Sequence, residues 1–511
     1  MDLKKNELKM GVVLSYISTG LNMGIQLVYT PIMIHLLGKS EYGLYTLVGS
    51  VVSYLSLFSL GFTGAYLRFY ARYHVEKDYK GIARLNGMFL LLFSVMSLAA
   101  LICGMILVQY PRQIFGNKLT MEEIRIAQML MTILVINIAL TFPSGLMDSM
   151  ISAHEKFLFQ KLLSLTGIIF NPMICFPLLL LGYGSVAIVC VTTFITVLKL
   201  FVSLWYCLKK LHTHFIFSKL ELSVLRQISA FSFFLFLNMI IDQINWSIDK
   251  FILGWVSGTG AVAIYGVGAQ INSLFLNFSV AISSVFAPRV NRIAAENKKD
   301  MNNQFTKLFI KVGRIQFLIL ALVASGFVVF GQYFVTEIYA TQEYVQAYFV
   351  AILLIISVMV PLTQNLGIEI QRAVNKQQAR SVIYFVMAII NILISIPLAR
   401  TFGPVGSAIG TAIALIIANG IVMNIYYHKA ICINIIDFWK NIFQLFRGMV
   451  IPVAFGCFLM IFVEFTNTMS YLFLVVLYTT IYCLSMWFLG MNDEERHLVL
   501  QPIERIKKKY R

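Results

Sequence analysis

Charge is what this chain has least of. Only 12% of its 511 residues are Asp, Glu, Lys or Arg, against 59% hydrophobic. A soluble protein of this length needs far more charge to cover its surface, so a soluble globular enzyme is excluded. Cysteine is sparse as well. The seven (Cys103, Cys175, Cys190, Cys207, Cys432, Cys457 and Cys483) are odd in number, form no CxxC and lie nearly all in apolar runs. No histidine clusters with them at ligand spacing, so a disulfide framework and a zinc site both fail. No metal or cofactor is expected. No GxxxxGK[ST] stretch occurs, which removes ATP hydrolysis by this chain. Long polar segments are missing too: the longest external connection, around 109–123, is too short to fold as a domain. Glycosyltransfer or glycan polymerisation would need such a domain or loop, so the chain is not expected to be an enzyme.

What is present is a series of apolar runs of about membrane-crossing length, ~20 residues each. Fourteen can be placed, near 10–37, 42–70, 85–108, 124–150, 161–181, 184–208, 228–255, 261–287, 305–331, 344–371, 381–400, 404–428, 447–465 and 470–489. The fold class is an all-α polytopic membrane protein. The N-terminal MDLKKNELKMGVVL has a basic start, but the segment continues to Leu37 without an A-x-A-like cleavage site, as a retained first span would.

The net charge of +17 does not point to nucleic acid, because the basic residues recur in short loops instead of clustering. One set of alternate loops carries Lys4, Lys5 and Lys9, then Arg68, Arg72, Lys77, Lys80 and Arg84, and so on to the tail Arg505, Lys507, Lys508, Lys509 and Arg511. The opposite set offers only Lys39, Arg112, Lys118, Arg125 and Arg400. That asymmetry predicts both termini in the cytoplasm and an even number of spans.

One span departs from the rest. Residues 228–255, ISAFSFFLFLNMIIDQINWSIDKFILGW, carry Asn238, Asp242, Asn245 and Asp249 at i, i+4, i+7 and i+11, a single helical stripe, with Gln243 and Lys250 beside it. A charge at the bilayer centre costs at least ~2.5–3.5 kcal/mol, so such residues normally face water or a partner. The stripe fits a helix lining a polar path. The plainer alternative stays open: Asp249 and Lys250 neutralise neighbours near a helix end, and Asp242 is interhelical glue. Asn22 and Gln26 in the first span, and Gln270, Ser273, Asn277 and Ser284 in the eighth, make further polar series that read as cavity or as packing. Lys199, Lys250 and Arg314 are the intramembrane cations, and of these Lys250 and Arg314 are the better candidates to line a site.

A shift of ~220 residues matches the first half to the second. Asn171-x5-Pro177-Leu178 returns as Asn391-x5-Pro397-Leu398, Ala153-His-Glu-Lys156 as Ala373-Val-Asn-Lys376, and Tyr45 as Tyr265. Six helices per copy is an even number, so both copies should share one orientation. The expected organisation is a six-helix bundle over 1–208 and a cytoplasmic linker over 209–227, read as an amphipathic interfacial helix. A second six-helix bundle follows over 228–428, then two additional transmembrane helices over 429–489 and a basic cytoplasmic tail over 490–511. Two such bundles make a transporter architecture.

Two stretches carry a resemblance. HLLGKSEYGLYTLVGSVVSYLSLFSLGF (35–62) and IDKFILGWVSGTGAVAIYGVGAQI (248–271) are similar to polysaccharide exporters of the Wzx type. That family belongs to a superfamily with MATE drug exporters and lipid II flippases. The resemblance implies a MATE-like fold in the bacterial cytoplasmic membrane. It also implies alternating-access transport of undecaprenyl-pyrophosphate-linked oligosaccharides for surface glycans. The implied partners are the lipid-linked oligosaccharide and membrane lipids, with room for a glycan polymerase or glycosyltransferases. The alternative is a cation-coupled MATE-type exporter of small organic molecules, with Asp242 and Asp249 as proton or sodium sites.

Overall fold

The computed structural model describes residues 2–59, 62–217, 222–296, 300–463, 465, 467–498 and 500. Within its helices the side chains of 2–13, 16, 222–235, 237–238, 278, 280–282 and 284 fall outside the described residues. Every element among the described residues is helical. In order they are α1 (Asp2–Val52), α2 (Phe62–Val75), α3 (Tyr79–Gln109), α4 (Pro111–Phe115), α5 (Met121–Ala153), α6 (Phe157–Leu180), α7 (Gly184–Lys209) and α8 (Leu222–Ser257). These are followed by α9 (Thr259–Ala295), α10 (Met301–Tyr333), α11 (Val345–Thr363), α12 (Leu366–Ala373), α13 (Gln378–Leu415), α14 (Met423–Lys429), α15 (Ile435–Phe462) and α16 (Thr468–Ser485).

Among the described residues, eleven helical stretches are long and apolar enough to cross a membrane. Two of them, Ile17–Val75 and Gln378–Lys429, run to 59 and 52 residues. At ~1.5 Å per residue either would measure roughly 80 Å, against ~30 Å of hydrocarbon. Each contains a glycine in the left-handed region, Gly38 (φ 73°) and Gly403 (φ 58°), where the helical dihedrals break. A side chain with a Cβ takes that conformation only with strain, so glycine marks the break. Both breaks fall between spans that the sequence places separately, 10–37 and 42–70, and 381–400 and 404–428. α8 is not among the eleven.

Helix ends follow the sequence. Asp78 caps α3 by accepting from the Gly81 amide at 2.8 Å. Thr120 and Glu123 form a reciprocal capping box at the start of α5. Asn434 caps α15 through the Asp437 amide. Residues in the left-handed region recur with the ~220-residue offset: Gly38 and Gly258, Glu155 and Asn375, His212 and Cys432.

The chain divides into two units, Met1–Gly266 with Ala399–Gly403, and Val267–Leu398 with Pro404–Arg511. In the first, polar pairs tie helices inside the apolar layer. Asn137 donates to Thr193 and Thr196 on α7, Asn171 donates to Thr192, and Lys199 pairs with Asp148 at 2.8 Å. Water cannot satisfy these groups in hydrocarbon, so neighbouring helices must. The linker does not form the interfacial helix over 211–217. That stretch is non-helical and lies against α3, with the Ile216 amide donating to the Ala83 carbonyl and Asn86 donating to the His214 carbonyl. Those bonds give two of its backbone groups partners outside a helix. Residues 218–221 lie outside the described ones.

The second unit has an aromatic core in which Phe309 packs against Phe438 (centroids 4.6 Å) and Tyr427 (5.6 Å). α15 and α16 pack against α10 and close this core.

Candidate functional site

The acidic stripe lies on α8. The side chain of Asn238 is outside the described residues. Asp242 is exposed, Asn245 half-buried and Asp249 buried at 1% exposure, so the stripe dips under cover along its length. The cover comes from the first unit itself. Tyr265, one helix on, donates its hydroxyl to Oδ2 of Asp249 at 2.7 Å. Tyr54 also lies within electrostatic reach of Asp249, and its buried hydroxyl has no hydrogen-bond partner among the described residues. Gln243 donates to Ser53 and Ser247 and so holds α8 to the helical turn after α1. Tyr265, Ser53 and Tyr54 were not among the expected site residues. Their signal was available, since a buried carboxylate needs a donor and Tyr265 opens the next span.

Asn22 is exposed and Gln26 half-buried on α1, and the Gln26 amide reaches Asn22 at 3.5 Å. Gln270 and Asn277 are half-buried on the part of α9 that belongs to the second unit. Ser284 lies outside the described side chains.

The cations separate clearly. Lys199 is neutralised by Asp148. Arg314 is buried at 3% exposure and committed: Nε donates to Glu495 Oε1 at 2.6 Å and Nη2 to Oε2 at 2.9 Å. Two further donors go to the carbonyls of Asn441 and Gly490. This is a bidentate clamp with four of the five N–H donors used and the charge neutralised by Glu495, so Arg314 is not available as a counter-charge to cargo in this structure. Lys250 is half-buried, with the neighbouring Asp249 carboxylate as its electrostatic partner. Of the three intramembrane cations it is the one whose acid is also held by a neutral donor, Tyr265.

Just after the Gly38 break of α1 a second polar cluster gathers. Glu123 Oε1 accepts from Ser40 at 2.5 Å and from Thr259 at 2.7 Å, joining α1, α5 and α9. Glu41 accepts from the Ser185 amide and hydroxyl at the start of α7. The site residues therefore offer a surface carboxylate, a buried hydrogen-bonded carboxylate and an ammonium beside the buried one. No group of His, Cys, Asp and Glu among the described residues could hold a metal ion.

In comparisons with known proteins, no curated sequence matches the chain. Solved structures share its fold. The lipid II flippase MurJ in an inward closed conformation superposes with a TM-score of 0.72 at 16% identity, covering 96% of this chain and 99% of that one. An inward-facing multidrug resistance MATE family transporter of the MOP superfamily gives 0.64 at 14%, covering 83% and 99%. The Vibrio cholerae MATE transporter VcmN in its bent form gives 0.54 at 14%, covering 84% and 98%. The family model described as polysaccharide biosynthesis protein matches residues 8–294, more than half of the chain. The chain belongs to the polysaccharide biosynthesis protein family.

Proposed function

We propose that this protein is a flippase that carries a polyprenyl-pyrophosphate-linked oligosaccharide across the cytoplasmic membrane of a bacterium by alternating access. The observation that carries the reading is Lys250, a cation inside the apolar layer beside Asp249, in a chain of the polysaccharide biosynthesis family. A pyrophosphate entering an apolar layer needs a counter-charge. Lys199 and Arg314 are closed in ion pairs, whereas the Asp249 carboxylate beside Lys250 is also held by the Tyr265 hydroxyl. Asp242 and Asn245, with Asn22 and Gln26, would supply hydrogen bonds to the glycan. The similarity in fold to a lipid II flippase supports the same cargo class.

The finer architecture belongs to this reading. Fourteen spans follow if the two over-long stretches each cross twice, bending at Gly38 and Gly403, and α8 crosses once. The left-handed residues at the ~220-residue offset support a parallel repeat. Asn171 donates to Thr192 on the following helix, and Asn391 accepts from Thr411 beyond the Gly403 bend, one place from the Thr192 equivalent, so the two asparagines meet threonines in similar places. Both termini would then lie in the cytoplasm, as the basic loops require.

The second reading is a cation-coupled exporter of small organic molecules. The exposed Asp242 and the MATE structures of similar fold favour it. Reconstituted vesicles separate the two. Outward movement of lipid-linked oligosaccharide supports the flippase; ion-coupled export of a cationic dye without lipid movement replaces it by the exporter.

A further inference from the structure

The second unit contains a cavity that the transport reading leaves unused. It lies at the C-terminal end of α10, the end remote from Lys307 and Lys311, and encloses about 420 Å³. That is within the ~300–1,000 Å³ of ordinary small-molecule sites. Gln332, Tyr333, Thr336, Glu337, Gln342 and Phe465 line it. A second cavity of about 410 Å³ shares Val329 and Met460 with it, but is walled almost wholly by apolar side chains such as Phe317, Phe443 and Val453. Two adjoining cavities of equal size therefore differ completely in chemistry.

We propose that the polar cavity is a binding pocket for a neutral saccharide. Its two amides can give and take hydrogen bonds, and the hydroxyls of Tyr333, Thr336 and Tyr348 add acceptors, which suits a ring of vicinal hydroxyls. Its single charge, among the described lining residues, is the Glu337 carboxylate, and no cation lines it. A phosphate or pyrophosphate would be repelled there, whereas a hydroxyl donates to a carboxylate through a charge-assisted bond. The apolar face of a sugar ring requires an aromatic wall, and Tyr333 and Phe465 provide one. That wall is fixed in advance: Tyr333 stacks on Tyr471 at 4.8 Å, and Phe330 lies 5.6 Å from Phe465 and 5.7 Å from Tyr471. Gln342 donates to Glu337 and sets the carboxylate in place. The backbone beneath, Phe334–Tyr339, is a π-helical turn, a form found mostly as short pieces at functional positions. Gln332, Glu337 and Gln342 are exposed and so reachable by a ligand.

The inference rests on the reading of the cargo as a lipid-linked glycan. It assigns the sugar a foothold on the face opposite the basic loops, separate from the pyrophosphate counter-charge.

The test uses the full chain in lipid nanodiscs with methyl β-glucoside and methyl N-acetyl-β-glucosaminide as probes and saturation-transfer NMR as readout. Transfer to at least one glycoside is expected, unaffected by inorganic pyrophosphate. Gln332→Ala and Glu337→Gln, both at exposed positions, should each weaken it about tenfold, while the remote exposed substitution Glu155→Gln leaves it unchanged. No transfer to either glycoside, equal transfer in the two pocket variants, or displacement by pyrophosphate overturns the pocket. Lipid-linked oligosaccharide movement is measured on the same preparations. Movement without glycoside binding overturns the pocket and spares the flippase; glycoside binding without movement does the reverse.

Discussion

The Tyr265 hydroxyl sits 2.7 Å from Oδ2 of Asp249, and both side chains are buried. The donor opens one membrane helix and the acceptor closes the one before it. A carboxylate that would be costly in hydrocarbon is thereby held by a neutral donor.

Tyr265→Phe removes that donor and leaves a buried acceptor short of a bond. The expected loss is about 1–3 kcal/mol of stability, read as a lower unfolding temperature in detergent. Asp249→Asn, which keeps the shape and can still accept from Tyr265, should cost less. An unchanged unfolding temperature for Tyr265→Phe would show that the bond does not hold Asp249.

The exposed and buried acids should separate in transport. Asp242→Asn is expected to impair lipid-linked oligosaccharide movement more than Asp249→Asn, because Asp242 is accessible to cargo and Asp249 is enclosed. Initial rates in proteoliposomes, normalised to reconstituted protein, give the comparison. Equal rates for wild type and the double variant would make the whole stripe structural.

Arg314 and Glu495 predict a defect of a different kind. Removing one partner of a buried ion pair strands the other, at a cost of about 3–5 kcal/mol. Arg314→Gln and Glu495→Gln should therefore lower the yield of folded protein while leaving transport per folded molecule intact. Glu495 also caps its own short helix: Oε2 accepts from the Asn492 amide, and its amide donates to Asn492 Oδ1. Truncation before Asn492 should reproduce the Glu495→Gln defect. A transport loss at full folded yield would return Arg314 to the cargo site.

Much of this was legible in the sequence, and the failures have physical causes. Spans could be read because hydrocarbon demands long apolar helices. The breaks at Gly38 and Gly403 were legible too, because each falls between two separately placed apolar runs. Arg314 was taken for a cargo cation because its partner is far along the chain, in a segment read only as a basic tail. Apolar periodicity says nothing about such distant pairing. The 211–217 linker has an amphipathic pattern, yet α3 gives two of its backbone groups partners outside a helix. Asp249 was recognised as costly; its need for a donor and the place of Tyr265 in the next span were in the sequence, and the structure supplies the bond between them.

The repeat makes a topological prediction. Glu155 and Asn375 are both exposed and both left-handed, at equivalent places in the two copies. Single substitutions Glu155→Cys and Asn375→Cys, in a chain with its native cysteines replaced, should both react with an impermeant thiol reagent only from the cytoplasmic side. Labelling from opposite sides would mean an inverted repeat.

The most direct test of the central claim is the rate at which purified, reconstituted protein moves a polyprenyl-pyrophosphate-linked oligosaccharide between leaflets, compared with its Lys250→Ala and Lys250→Arg variants. The account predicts movement by the wild type, a loss of about tenfold or more in Lys250→Ala, and substantial recovery in Lys250→Arg, which keeps the charge. Movement at the wild-type rate in Lys250→Ala would contradict the assignment of Lys250, and no movement of the lipid by the wild type would contradict the flippase itself.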